Sequence, residues 1–179
     1  MTDDRFAIRR GRTGDARVIL ALLDGAMEWL VSLGRTDQWG SNPASAEPAR
    51  VARAQEWERD EGLYIATLDG EPVGALVVGE AMPYVPPATV PELYVRFLAS
   101  DRTRKGSRIG ARLLEHAETL ARRAGVERLR VDCFRGPDLA LVNYYRAQGF
   151  TPTETFTVPR PEADDWPGQI LVRELAPTV

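Results

Sequence analysis

Around residues 100–115 the chain runs from a strand-like stretch through a basic, glycine-containing turn into the start of a helix. The turn and first helical positions read Lys105, Gly106, Ser107, Arg108, Ile109, Gly110 and Ala111. The first N–H groups of a helix have no intrahelical partner and lie at the positive end of its dipole, so such a segment is a receptor for phosphate oxygens. Lys105 and Arg108, with Arg102 and Arg104 close by, add positive charge, and the ligand this pattern predicts is a diphosphate. The plain alternative is that Gly106 only turns the chain and the arginines form a solvated face. The segment is not a P-loop, because the GxxxxGK[ST] spacing is missing. Nor is it a dinucleotide-binding fingerprint, because no GxGxxG occurs.

Other chemistries find few residues to work with. The single cysteine, Cys133, excludes an intramolecular disulfide framework and a multi-cysteine zinc site. The single histidine, His116, leaves little for a histidine-rich metal centre or a Ser-His-Asp relay, and no metal is expected. His116 falls on the polar side of its helix and reads as a surface residue.

The elements that must position the basic turn follow from periodicity. Alternation predicts a first strand over 6–10, which the residues from Gly11 to Asp15 turn into an amphipathic helix over 15–33, stopped by Gly34. Residues 35–47 read as a long loop, and Pro48 opens a second helix over 48–60. Strands over 63–68 and 73–79 flank Asp69-Gly70, a strong hairpin signal. The four prolines of 81–91 exclude a regular central strand. A strand over 92–100 feeds the basic turn, and the following helix ends at Gly125. Next come a strand over 129–134, a helix over 138–148 with Asp138 as N-cap, and strands over 150–158 and 169–175. The order β-α-α-β-β-β-α-β-α-β-β makes a mixed α/β layer, read as one domain over 1–179.

Composition sets the class. With 179 residues, 44% of them hydrophobic and 27% charged, the chain has the profile of one soluble globular domain. The opening MTDDRFAIRR has no apolar core of a leader, and no apolar run approaches the ~18 residues of a membrane span, so a cytoplasmic protein without membrane contact is expected. The net charge of −3 argues against a nucleic-acid binder. Residues 101–112 nevertheless carry five basic side chains against Asp101, a local +4 that leaves −7 for the rest.

The turn and its flanks resemble the GNAT superfamily of acetyl-CoA-dependent N-acetyltransferases. The family signature, Arg/Gln-x-x-Gly-x-Gly/Ala followed by a helix with a Leu-Leu pair, lies over Lys105 to Gly110 and Leu113-Leu114. Lys105 replaces the usual Arg or Gln, and Arg108 replaces the middle glycine, whose missing side chain lets the backbone approach a pyrophosphate. A second motif follows in the right order: the strand Leu129-Arg-Val-Asp-Cys133, then Tyr144-Tyr145-Arg-Ala-Gln-Gly149-Phe150, similar to the family's Tyr-x-x-x-Gly-Phe ending. The two stretches cover about residues 92–156.

The resemblance implies a GNAT fold, a mixed and partly splayed central sheet flanked by helices, and direct transfer of acetyl from acetyl-CoA to a primary amine of a small molecule or peptide. Backbone groups of Leu98 and Ser100 would bind the pantetheine arm, and Lys105, Gly106, Ser107, Arg108, Ile109, Gly110 and Ala111 the diphosphate. Asp138 stands where many members have a cofactor-contacting Asn. Tyr145, by itself readable as a core aromatic, matches the tyrosine that protonates the departing thiolate, for which a phenol with an ordinary pKa near 10 is suited. The attacking amine needs a base; Glu92, at the start of the central strand, is the first candidate, with Glu80 and Asp132 as others. Asp132-Cys133 and the pair Gln38-Trp39 are similar to features of one group of small bacterial acetyltransferases. Gln38 and Trp39 would lie where the first helices cover the acceptor, Trp39 either stacking on it or plugging the loop. Cys133 reads as a small buried strand residue. A homodimer through sheet edges or through 157–179 is compatible with the family. The alternative reading is a degenerate GNAT module that binds an acyl-CoA or a protein partner without turnover.

Overall fold

The structure is a computed structural model in which residues 5–104 and 106–177 are described. The elements are β1 (Phe6–Arg10), α1 (Ala16–Ser32), a 3₁₀ turn (Ala44–Ala46), α2 (Pro48–Arg59), β2 (Leu63–Leu68), β3 (Glu71–Gly79), β4 (Glu92–Ser100), α3 (Ile109–Arg123), β5 (Arg128–Phe134), α4 (Ala140–Ala147), β6 (Thr151–Val158) and β7 (Trp166–Glu174). The strands form one open sheet in the order β1-β2-β3-β4-β5-β7-β6. This is the mixed α/β layer that the periodicity predicts.

The chain divides into two compact units: the described residues up to Val77 with Phe97–Leu113, and Val78–Arg96 with the described residues from Leu114 onward. In the first unit β1, β2 and β3 are antiparallel neighbours. Asp69 and Gly70 both have positive φ, 52° and 82°, the twist that lets a two-residue turn join right-twisted strands. The apolar stripe of α1 and Trp57 of α2 pack on Ile65, Ala75 and Val77, and Phe97 and Ala99 of β4 join the same cluster. Each such buried Ile or Val contributes ~1.5–3 kcal/mol. Asp15 anchors the start of α1 by accepting from Arg9 Nη1 and Nη2 at 2.8 and 2.9 Å and from the Arg12 amide at 2.7 Å.

In the second unit β4 and β5 are parallel, from Glu92↔Arg128 to Val95↔Val131, and β4 continues to Ser100 beyond that ladder. β7 lies antiparallel between β5 and β6. Most predicted bounds hold within one residue, and three starts move by two or three. β3 starts at Glu71, because a register shift beside Thr67 accommodates Pro72. β7 starts at Trp166: Pro167 cannot donate, yet it pairs with Thr157 and its carbonyl accepts from the Arg135 amide at 2.9 Å. α4 starts at Ala140, with Leu139 as its N-cap in a left-handed conformation (φ 55°). Asp138 is therefore not the N-cap; its Oδ1 accepts from the Ala140 amide at 3.1 Å instead. Among the described residues no helix is long and apolar enough to cross a membrane.

Candidate active site

The basic turn is built by Asp101. Its amide donates to the Val73 carbonyl at 2.8 Å, and its carboxylate accepts from the Thr103 amide (2.9 Å), Thr103 Oγ1 (2.7 Å) and Arg104 Nε (3.3 Å). Burial opposes the Asp101 charge, and these donors outweigh it, holding the carboxyl below its ordinary range. Lys105 lies outside the described residues. Gly106 has φ 80° and Arg108 φ 50°. At the family's middle-glycine position the backbone thus takes the left-handed path of a glycine although the residue is arginine, and that side chain is exposed.

Behind the turn, Ile109 and Ala111 are buried, and Ser107 and Gly110 are half-buried. The first turn of α3 rests on bare backbone: a Cβ at Gly74 of β3 would stand 2.7 Å from Ile109 Cγ2 and 2.9 Å from Leu113 Cδ1. The Arg102 guanidinium lies over the Trp29 ring at 4.3 Å and that of Arg112 over Phe6 at 3.6 Å. With Arg104 on Asp101, three of the nearby cations are therefore held in place, beside the positive end of the α3 dipole. Leu98 and Ser100 are half-buried on β4, past the last β4–β5 pair. Gln38 is buried. Trp39 packs on the α1–α2 core, and its carbonyl accepts from Arg50 Nη2 at 3.0 Å.

In the second unit Tyr145 is buried on α4, edge-to-face with Tyr144 at 5.3 Å and with Phe150 at 5.7 Å. Burial first, then Cys133, Tyr144 and Asp132, push its ionisation far above neutrality, so the phenol keeps its proton. Cys133 is buried on β5 and its thiol is pushed up to about 12, mainly by burial, so it is no thiolate nucleophile. His116, predicted at the surface, is half-buried on α3; burial, helped by Arg123, lowers its pKa, which leaves a neutral imidazole. Glu80 is exposed and Asp138 is exposed at the start of α4.

Glu92 is not an open strand-end charge. Arg130 donates to its Oε1 from Nε at 3.1 Å and Nη2 at 2.8 Å, and from Nη1 to the Pro86 carbonyl at 2.7 Å. The Arg130 and Glu92 side chains are 5% and 7% exposed, a buried ion pair in which Glu92 Oε2 has no hydrogen-bond partner among the described residues. Beside it, the fully buried Tyr94 donates its hydroxyl to Asp132 Oδ1. Burial raises the Asp132 pKa above the ordinary carboxylate value, and Tyr94 and Arg130 only partly offset this. Sequence reasoning missed Tyr94 and Arg130. Their signal was polar residues at alternate positions of otherwise apolar strands, which marks a built polar face.

Among the described residues no group of three or more His, Cys, Asp and Glu is placed to hold a metal ion. Solved structures similar to this chain share its fold. An agmatine N-acetyltransferase, solved as a mutant in its apo form, is 16% identical with a TM-score of 0.67, over 96% of this chain and 100% of that one. The ribosomal-protein-alanine N-acetyltransferase from Brucella melitensis is 20% identical with a TM-score of 0.67, over 94% and 99%. The yncA protein from Salmonella typhimurium, solved with its cofactor acetyl-CoA, is 16% identical with a TM-score of 0.65, over 96% and 95%. No curated protein sequence matches. The profile described as "Acetyltransferase (GNAT) family" matches residues 24–150, a span that takes in the basic turn, the buried carboxylates and Tyr145. With the fold, the motif order and this match in agreement, the chain belongs to the GNAT acetyltransferase family.

Proposed function

We propose that this acetyltransferase moves the acetyl group of acetyl-CoA directly onto a primary amine of a small molecule or peptide. Acetyl-CoA supplies an activated thioester. The amides of 106–111, with the charge of Lys105 and Arg108, hold its diphosphate, and the backbone of Leu98 and Ser100 the pantetheine arm. Asp138 stands at the position of a family cofactor contact and offers a carboxylate where many members have an amide, which weakens that contact. The observation that carries the reading is Tyr145, a buried phenol four residues before Gly149 that burial keeps protonated and that can give its proton to the departing sulfur.

The amine must lose a proton to attack. The Glu92 carboxylate is already engaged by Arg130 in a buried ion pair, whereas burial raises the proton affinity of Asp132. We therefore assign that role to Asp132 ahead of Glu92. Family neighbours named for agmatine and for a ribosomal protein support an amine acceptor and leave its size open. Tyr145→Phe should lower kcat about a hundredfold or more, with acetyl-CoA affinity unchanged by calorimetry. An unchanged kcat removes Tyr145 from the acid role. If wild type binds acetyl-CoA yet releases no CoA across an amine panel, the chain is a binding module instead.

A further inference from the structure

One surface of the second unit has no task in the chemistry above. Phe134, Gly168 and Phe156 stand opposite one another across β5, β7 and β6. Gly168 is what admits the Phe156 ring, since a Cβ there would lie 2.3 Å from it. Tyr84 stacks on Phe156 (5.7 Å, 27°), and Trp166 lies 6.1 Å from Phe156 and 5.8 Å from Phe134. Tyr84 is 46% exposed, and Phe156 and Trp166 are partly exposed. Asp132 pairs with Ile170 one row further along the same face, a spacing of about 6.6 Å. Tyr94 donates to this carboxylate, and Tyr84 lies within electrostatic reach of Tyr94.

Aromatic faces are electron-rich, and a carboxylate beside them completes a site for a cation with an apolar body. A neutral alkyl chain would satisfy the rings alone, and an anion would meet Asp132. Along a strand successive side chains alternate in face, so Asp132 and Cys133 point to opposite sides of β5, and Tyr145 is near Cys133. Proton acceptor and proton donor thus both lie beside β5, one toward each of its sides.

We propose that this face is the acceptor subsite and that its acceptor is a primary alkylammonium, its chain on Tyr84, Phe156 and Trp166 and its nitrogen at Asp132. The proposal rests on the acetyl-transfer reading above. Asp132 removes one proton from the ammonium, the freed lone pair forms the C–N bond at the thioester carbonyl carbon, and the C–S bond breaks as Tyr145 gives its proton to the sulfur; the second proton lost by the nitrogen as the amide forms restores the Tyr145 phenol, and Asp132 releases its proton to solvent.

Calorimetric titration of the full chain, without acetyl-CoA, compares n-pentylammonium with the uncharged isostere n-pentanol. The ammonium should bind roughly tenfold or more tightly. Tyr84→Ala, a change on an exposed loop, should weaken its binding about tenfold, and Asp132→Asn should abolish the preference for ammonium over alcohol. Both variants should keep the wild-type circular dichroism spectrum and acetyl-CoA affinity. Equal affinity for the two probes, wild-type ammonium binding in both variants, or a dimer that Tyr84→Ala dissociates in sedimentation would each overturn the subsite. CoA release from acetyl-CoA and n-pentylammonium separates the two readings. Release that neither variant alters defeats the subsite alone. Ammonium binding that responds to both variants, without any CoA release, defeats the transfer reading and leaves the subsite standing.

Discussion

Arg108 holds a backbone conformation that glycine adopts freely and that costs a residue with a side chain roughly 1–3 kcal/mol. Its charge, at the entry to α3, is the compensation when the ligand is a diphosphate. Arg108→Gly should therefore raise the urea midpoint by the equivalent of about 1 kcal/mol, with an unchanged m value, while weakening acetyl-CoA binding severalfold. A lower midpoint would show that the conformation is not strained, and an unchanged Kd would take the guanidinium out of diphosphate binding. The basic turn and Tyr145 were legible in the sequence because their motifs are local: neighbouring residues in one case, a fixed offset before Gly149 in the other. The Glu92–Arg130 and Tyr94–Asp132 pairs were not, since each joins residues 38 positions apart and exists only once the β4–β5 register is set.

At the scale of elements, the position of α3 depends on a glycine it does not contain. Gly74 lets Ile109 and Leu113 sit against the β3 backbone, and any side chain there must push the first turn of α3 away. Gly74→Val should cost about 1–3 kcal/mol of stability and raise the Kd for acetyl-CoA more than Arg108→Gly does, because it moves the whole row of amides. Binding at wild-type strength in a folded Gly74→Val protein would show that the amide positions do not matter. Element types were readable from periodicity, and β2 and β4 appear with the predicted bounds, since hydrophobic alternation and the Asp-Gly turn are properties of the strands themselves. The ends that moved depend on partners: Pro72 and Pro167 lie outside the predicted strands yet pair with Thr67 and Thr157, and Leu139 is left-handed for no reason visible in its own sequence neighbourhood.

For the molecule as a whole, the decisive quantity is how unevenly a net charge of −3 is spread, with +4 within residues 101–112 and −7 elsewhere. The positive segment is pre-organised: Arg102 lies over Trp29, Arg112 over Phe6, and Arg104 is bonded to Asp101, so its field does not wait for ligand to form. On the proposed reading, an anionic coenzyme would be drawn to that segment, and a cationic acceptor to the acidic remainder. Salt shortens the Debye length from ~10 Å at 0.1 M to ~3 Å at 1 M, which screens both attractions and leaves contacts in a buried site nearly untouched. Raising NaCl from about 0.05 to about 0.5 M should therefore raise KM for acetyl-CoA and for an alkylammonium acceptor together while kcat stays within about twofold. The two halves of the expectation fail separately. A salt-insensitive KM for acetyl-CoA would mean that backbone amides, not the fixed arginines, supply the attraction. A salt-insensitive KM for the amine would mean that its nitrogen approaches uncharged, and Asp132 would then have no proton to take from it.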